Sequence, residues 1–255
     1  MTWLSEHTLL PDSGLILALA LLGAMCIGLS KAGLSGTATL NVVLMAKIFG
    51  AMPSLGIVLP LLIVADLMGY LLNREGGSWR QILPMIPAAV VGVFVGWLLL
   101  DRVDNHDARI VIGVLILALL AFNLVLKHAR ERLIALTSHR SFRWGMGGVA
   151  GVATMLANAA GPVMTVYLLA QRLEKKEHLG VFCRFFLFIN LFKLPFSGNL
   201  GLVTGPSLMT NLVLLPGVIA GIVLGWQLLR RMPQDAFETA LAWLTAFAAV
   251  WLIVG

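Results

Sequence analysis

The stretch Leu156-Ala-Asn-Ala-Ala-Gly-Pro162 interrupts an apolar segment that begins near Trp144 and resumes through Tyr167. Asn158 is polar, and Gly161-Pro162 favours the end of one helix and the start of the next. Proline is tolerated in the first turn of a helix, because the N–H that it lacks has no partner there. The sequence therefore predicts one half-helix ending near Leu156 and another starting near Pro162.

A similar break occurs in the first half of the chain, at Ser30-Lys-Ala-Gly-Leu-Ser-Gly-Thr37. In a membrane protein, backbone that leaves the helix at mid-depth is tolerated only where it faces protein or a water-filled cavity. Paired breaks at corresponding positions of two halves are typical of transporters, whose substrate sites lie at such breaks. The two breaks are therefore the first candidates for a binding site.

The composition indicates a membrane protein with several helical spans. The chain has 255 residues, of which 59% are hydrophobic and 12% are charged, and its mean hydropathy is +0.94. Soluble domains are nearer one quarter charged, and apolar segments recur here along the whole length. The net charge of +6 comes largely from basic residues in short loops. The positive-inside rule explains that pattern, so we expect no nucleic-acid partner.

The two halves of the sequence repeat, most clearly where segment 83–102 aligns with segment 212–231. The matched positions are Pro87 and Pro216, Gly92 and Gly221, Gly96 and Gly225, Asp66 and Asn190, and Gly36 and Gly161. Glycines four residues apart form the small-residue faces on which membrane helices pack closely. We therefore predict an internal duplication whose paired glycines lie at helix interfaces.

The basic loops decide the predicted topology. The loops at 127–143 and 172–178 both carry several basic residues, so both should be cytoplasmic. Eight full spans would place them on opposite sides, whereas a hairpin that enters the membrane over 144–170 and returns places them on the same side. The same arrangement over 14–49 puts the acidic N-terminus outside. We therefore predict six full spans and two re-entrant helical hairpins, with both termini periplasmic.

The predicted fold is an all-α polytopic membrane protein built from two inverted-topology repeats. The first repeat covers 1–127, with a re-entrant hairpin at 14–49 and spans at 53–73, 81–100 and 108–126. A cytoplasmic linker covers 128–143. The second repeat covers 144–255, with a re-entrant hairpin at 144–170 and spans at 180–197, 208–229 and 236–254.

Each hairpin tip is expected to start a helix near the middle of the membrane. Helix N-termini carry unpaired N–H groups and about half a positive charge each, so two that converge form an anion site. Lys31 adds a full charge, while Ser35, Thr37 and Asn158 can bind ligand oxygens or satisfy the broken backbone. The predicted substrate-binding residues are Lys31, Gly33, Ser35, Gly36, Thr37, Asn158, Ala160, Gly161, Pro162, Asn190 and Lys193.

Asp66, Lys193 and Arg184 are ionisable residues within predicted spans, where such residues are costly and usually functional. Asp66 is a candidate proton carrier, with a structural partnership to a lysine as the alternative. Lys193 follows Asn190 by about one turn and is expected to line the same pathway. Arg184 is a further pathway candidate, although it lies close enough to the cytoplasmic end of its span to snorkel.

The chain resembles the sulfite exporter TauE/SafE family, also called TSUP, over nearly its whole length. The motifs that carry the resemblance are Gly28-Leu-Ser-Lys-Ala-Gly33, Asn158-Ala-Ala-Gly-Pro162, Tyr167-Leu-Leu169, Phe185-Phe186 and Asn190-Leu-Phe-Lys-Leu-Pro195. The resemblance implies a bacterial inner-membrane permease for small sulfur-containing anions such as sulfite, sulfoacetate, thiosulfate or other organosulfonates. It also leaves small carboxylates as an alternative substrate class.

The combined prediction is a secondary transporter that exports such anions, with an anion channel as the alternative. No nucleotide-binding motif is present, so an ion gradient, the membrane potential or a partner must supply the energy. No HExxH or serine–histidine constellation indicates an enzyme, and we predict no cofactor or metal. The expected partners are the anion and the lipid bilayer, and a homodimer is left open.

Overall fold

The computed structural model describes residues 6–34, 36–128, 139–169, 171 and 173–228, together with 243, 250, 253 and 254. Within these residues the chain is helical and contains no strand. The helices are α1 Gly14–Lys31, α2 Thr37–Phe49, α3 Ala51–Leu72, α4 Ile86–Leu100, α5 Asn105–His128, α6 Arg140–Ala157, α7 Gly161–Leu169, α8 Lys175–Asn199 and α9 Gly205–Leu228. Most of the predicted linker and of the predicted span at 236–254 lies outside the described residues.

Five of the described helices are long and apolar enough to cross a membrane: α1, α3, α5, α8 and α9. They support a multi-pass membrane protein, as the composition predicted. The predicted span at 81–100 is shorter than expected, because α4 starts only at Ile86 after a short 3₁₀ helix at Trp79–Gln81. Pro84 and Pro87 favour this late start, since proline cannot donate a backbone hydrogen bond and is best accommodated in the first turn of a helix, where Pro87 lies.

Glycines form the closest helix interfaces. In the packing of α4 against α6, a Cβ at Gly151 would lie 2.1 Å from the carbonyl oxygen of Ala89. In the packing of α9 against α1, a Cβ at Gly28 would lie 2.1 Å from the carbonyl oxygen of Val218. Gly92 and Gly221 make the reciprocal contacts. The prediction that Gly92 and Gly221 lie at helix interfaces is therefore confirmed, and the two helix pairs pack alike.

The starts of α6 and α8 lie at the same end of the molecule. The loop after α3 contacts the start of α8, where Lys176 Nζ is 3.0 Å from a carboxylate oxygen of Glu75. This ammonium lowers the pKa of the Glu75 carboxyl from its ordinary value, chiefly through the hydrogen bond. The residues that follow the same loop, Leu83 and Pro84, line one groove with Arg140 of α6.

The starts of α3 and α5 lie together at the opposite end. The backbone N–H of Met52, at the start of α3, donates to Oδ1 of Asn105 at the start of α5, at 3.0 Å. The backbone N–H of Leu9 donates to Oγ1 of Thr210 in α9, at 2.9 Å. Because α3 runs from this end to the loop that contacts α8, it connects the two ends of the molecule. The buried apolar side chains form two clusters, and α3 belongs to both of them: Leu55 lies in one cluster and Leu61 in the other.

Candidate functional site

The first break lies where the sequence predicts it, between the end of α1 at Lys31 and the start of α2 at Thr37. Gly33 has φ of 115°, a conformation that glycine adopts without strain. The Thr37 hydroxyl contacts the carbonyl oxygens of Cys26 and Leu34, each at 2.8 Å. Thr37 therefore satisfies the broken backbone, one of its two predicted roles. Gly36 caps α2, and Ser35 lies outside the described residues.

The second break separates α6, which ends at Ala157, from α7, which starts at Gly161. Asn158 ends α6 in the left-handed conformation with φ of 53°, a conformation that asparagine tolerates better than most residues. Its amide nitrogen donates to the carbonyl oxygen of Leu55 in α3 at 3.3 Å. Ala160 and Pro162 are buried, with Pro162 in the first turn of α7 as predicted. The break is thus tied to the neighbouring helix α3.

The two helix starts lie beside each other. A Cβ built on Gly161, the first residue of α7, would lie 3.7 Å from the Cβ of Ala38 in the first turn of α2. The N-terminal ends of both helices therefore lie in one region, although the Thr37 N–H already donates to the Leu34 carbonyl oxygen at 3.0 Å. Each helix start contributes unpaired donors and a partial positive charge, so the region favours an anion.

The side-chain amino group of Lys193 lies at the second break. Its ammonium contacts the carbonyl oxygen of Thr154 at 2.8 Å, the Thr154 hydroxyl at 2.9 Å, and Oδ1 of Asn158. The side chain is 1% exposed. Within the described residues no carboxylate lies within salt-bridge distance of this ammonium. All of its hydrogen-bond partners are uncharged oxygens, so no carboxylate pairs with it directly.

Lys31 is neutralised instead. Its ammonium lies 2.8 Å from Oδ1 of Asp66, and the other carboxylate oxygen of Asp66 accepts a hydrogen bond of 2.7 Å from the Asn190 side-chain amide. The same ammonium lies over the rings of Phe186 and Phe182, 4.2 Å and 5.2 Å from their centroids. Such cation–π contacts add attraction where water is excluded. Asp66 thus has the lysine partner that the sequence left as one of its two roles.

Arg184 differs from the expected snorkelling side chain. Its guanidinium donates to the carbonyl oxygens of Arg74 and Gly76 in the loop after α3, and it lies 5.1 Å from the ring centroid of Tyr70. It is buried beneath that loop, with only 4% of its surface exposed. These contacts hold the loop against α8. They place Arg184 apart from the two helix starts.

Sequence reasoning brought together most of the groups around the breaks but missed three of them. Thr154 was missed, although it precedes Asn158 by one helical turn and shares its face. The rings of Phe182 and Phe186 were not recognised as partners of Lys31, although Phe186 belongs to a family motif. No described cluster of three or more His, Cys, Asp or Glu side chains could hold a metal ion.

The apolar helices and the buried charges between them define a multi-pass membrane protein with a polar interior. The family model of the sulfite exporter TauE/SafE matches residues 16–252. The chain therefore belongs to the TauE/SafE sulfite exporter family, which confirms the resemblance of its motifs and makes it a membrane transporter of the anion-exporter type. No curated protein and no solved structure matched the chain.

Proposed function

We propose that this protein is a secondary transporter that exports small sulfur-containing anions, such as sulfite or sulfoacetate, across the bacterial inner membrane. The family supports the transport class. The observation that carries the proposed binding mode is the approach of the α2 and α7 starts, where a Cβ built on Gly161 would be in van der Waals contact with Ala38. An oxyanion between them would accept hydrogen bonds from backbone N–H groups, which suit oxyanions of several shapes.

The balance of buried charge supports an anionic substrate. Lys31 pairs directly with Asp66, whereas the hydrogen-bond partners of Lys193 are all uncharged oxygens. A cation this deep in a membrane protein is costly unless a counter-charge is available. A bound anion would supply that counter-charge, so Lys193 is the side chain that we assign to the substrate. Asn158 would hold the ammonium in place from the tip of the second break.

We also propose that the two repeats have inverted topology and that each contains a re-entrant hairpin. Three observations support this arrangement. The starts of α6 and α8 lie at one end of the molecule, as expected if α6 and α7 enter the membrane and return. The packing of α4 on α6 matches that of α9 on α1. Asp66 and Asn190, which the repeat alignment pairs, contact each other at 2.7 Å, as equivalent helices do at a twofold axis.

The predicted repeat boundaries, the cytoplasmic basic loops and the periplasmic termini follow from the same proposal. Asp66 is the proposed site of proton coupling, because protonation would remove the counter-charge of Lys31. The freed ammonium could then attract an anion toward the first break. The homodimer that the sequence left open has no support from the structure.

The binding mode is tested by anion affinity. In Lys193→Ala, sulfite and sulfoacetate should bind about one to two decades more weakly, because a charge-assisted hydrogen bond contributes roughly 1.5–3 kcal/mol. Asn158→Ala should weaken binding in the same direction. Lys176→Ala is the matched control, since that lysine lies on the same helix but its side chain is 61% exposed and pairs with Glu75. Calorimetry on the purified variants gives the affinities.

Wild-type affinity in both Lys193→Ala and Asn158→Ala would contradict this site. Flux into proteoliposomes decides the transport mode and the substrate class. A transporter shows saturable counterflow of labelled sulfite against unlabelled sulfite, whereas a channel does not. A panel that includes acetate and malonate separates sulfur oxyanions from small carboxylates.

A further inference from the structure

A second basic region lies far from the helix breaks, in a groove between the start of α4 and the start of α6. The groove has a volume of about 430 Å³ and is lined by Leu83, Pro84, Pro87, Arg140, Arg143 and Trp144. Leu83 is 54% exposed and Trp144 is 42% exposed, so the groove opens at the surface of the protein. None of the six lining residues is acidic.

The groove combines a charged side with an apolar side. The guanidinium of Arg140 lies 5.6 Å from the ring centroid of Trp144 and leans over that ring. The Nε of Arg143 is buried and has no hydrogen-bond partner within the described part of the chain. The remaining lining consists of leucine, proline and tryptophan side chains. A ligand that fits both sides has an anionic group beside an extended apolar body.

The matching helix pair lacks this charge. When Gly28 is matched to Gly151 through their equivalent contacts, α1 carries Leu17 and Ala20 where α6 carries Arg140 and Arg143. The matching positions of α9 keep the apolar side, with Leu212 and Pro216. Packing of the helices therefore does not require the two arginines. Both arginines belong to the basic segment that the positive-inside rule assigns to the cytoplasm, so they would face the anionic headgroups of that leaflet.

We propose that this groove binds one anionic phospholipid, with the headgroup phosphate between Arg140 and Arg143 and an acyl chain along Leu83, Pro87 and Trp144. Arginine matches phosphate with a rigid, forked set of donors. Tryptophan is enriched at the level of lipid headgroups, where its ring contacts apolar chains and its N–H reaches water. Basic pockets between membrane helices bind anionic headgroups by the same chemistry. The surrounding bilayer supplies the ligand.

Native mass spectrometry of the full chain in detergent tests the proposal. The probe is an equimolar mixture of phosphatidylglycerol and phosphatidylcholine with identical acyl chains. We expect wild type to retain phosphatidylglycerol selectively, and Arg140→Gln/Arg143→Gln to lose that preference by a factor of roughly 30. Arg140→Lys/Arg143→Lys should recover part of it. Arg80→Gln/Arg102→Gln removes the same charge from exposed positions that do not line the groove and should retain the wild-type preference.

Three outcomes would overturn the site. The glutamine variant could keep the wild-type preference, the Arg80 and Arg102 control could lose it equally, or millimolar inorganic phosphate could displace the lipid completely. The last outcome would show that only the phosphate group is recognised. A single symmetric peak in size-exclusion chromatography verifies that each variant is folded. Anion flux is not part of the readout, so the lipid site and the transport proposal can fail independently.

Discussion

Lys31 and Asp66 form an ion pair that is almost completely shielded from solvent, with exposures of 4% and 0%. Such a pair contributes little net stability while it is intact, because desolvation of both charges offsets their attraction. Removal of one member has a larger effect, since it leaves a buried charge without a counter-ion. The pair therefore matters most when one of its members changes its charge.

This asymmetry predicts the stability of Asp66→Asn. The variant should unfold about 3–5 kcal/mol more easily than wild type, because the Lys31 ammonium loses its carboxylate. Lys31→Met/Asp66→Asn removes both charges and should recover most of that loss. Thermal unfolding, monitored by size-exclusion chromatography, measures the stability of both variants. If the single variant is as stable as wild type, the pair is not buried in the working protein.

The same residues test proton coupling. If Asp66 carries the proton, flux in Lys31→Met/Asp66→Asn should no longer respond to a pH gradient, whereas sulfite should still bind near Lys193. Proteoliposome flux with and without a pH gradient gives the comparison. An unchanged response to the gradient would leave Asp66 a structural residue.

At the scale of the helices, the glycine interfaces determine how closely α6 approaches α4. A Cβ at Gly151 would lie 2.1 Å from the backbone oxygen of Ala89, whereas a Cβ at Gly145 on the same helix would meet nothing within 4 Å. Backbone atoms cannot move aside as a flexible side chain does. The cost of a methyl group therefore depends on its position along α6.

Gly151→Ala should accordingly destabilise the protein by about 1–3 kcal/mol, since the two helices must separate to make room. Gly145→Ala should be neutral or stabilising by up to about 1 kcal/mol, because alanine favours the helix and occupies open space. Thermal unfolding of the two variants in the same detergent measures the difference. Equal stability of the two would contradict close packing of α4 on α6.

At the scale of the whole molecule, the starts of α6 and α8 lie at the same end, and this predicts which loops lie on the same side of the membrane. Lys176→Cys and Arg140→Cys should react with a membrane-impermeant maleimide only after the cytoplasmic side is opened. Arg102→Cys should react from the periplasm. The native Cys26 and Cys183 are buried and should contribute little background. Labelling of Lys176→Cys in intact cells would contradict the re-entrant hairpins and favour the alternative topology with eight full spans.

Much of the fold could be predicted from the sequence because it depends on neighbouring residues. Gly161-Pro162 starts a new helix through backbone chemistry alone, and the structure breaks just before it, where Asn158 ends α6. The glycine spacing predicted the close interfaces for a similar reason, since only glycine lets two backbones touch. Composition was enough to predict the apolar helices. The late start of α4 was missed, although Pro84 and Pro87 indicate it.

The partners of the buried polar groups were decided by the tertiary structure. From the sequence, Lys31 and Lys193 were both predicted substrate-binding residues, and Asp66 was a candidate proton carrier or a structural partner for a lysine. The packing of α1, α3 and α8 brings Asp66 to Lys31 and leaves Lys193 with Thr154 and Asn158. These contacts join residues far apart in the chain, so no local pattern encodes them. Buried charge selects its partner through three-dimensional distance, because attraction inside a low-dielectric interior falls off with separation between atoms.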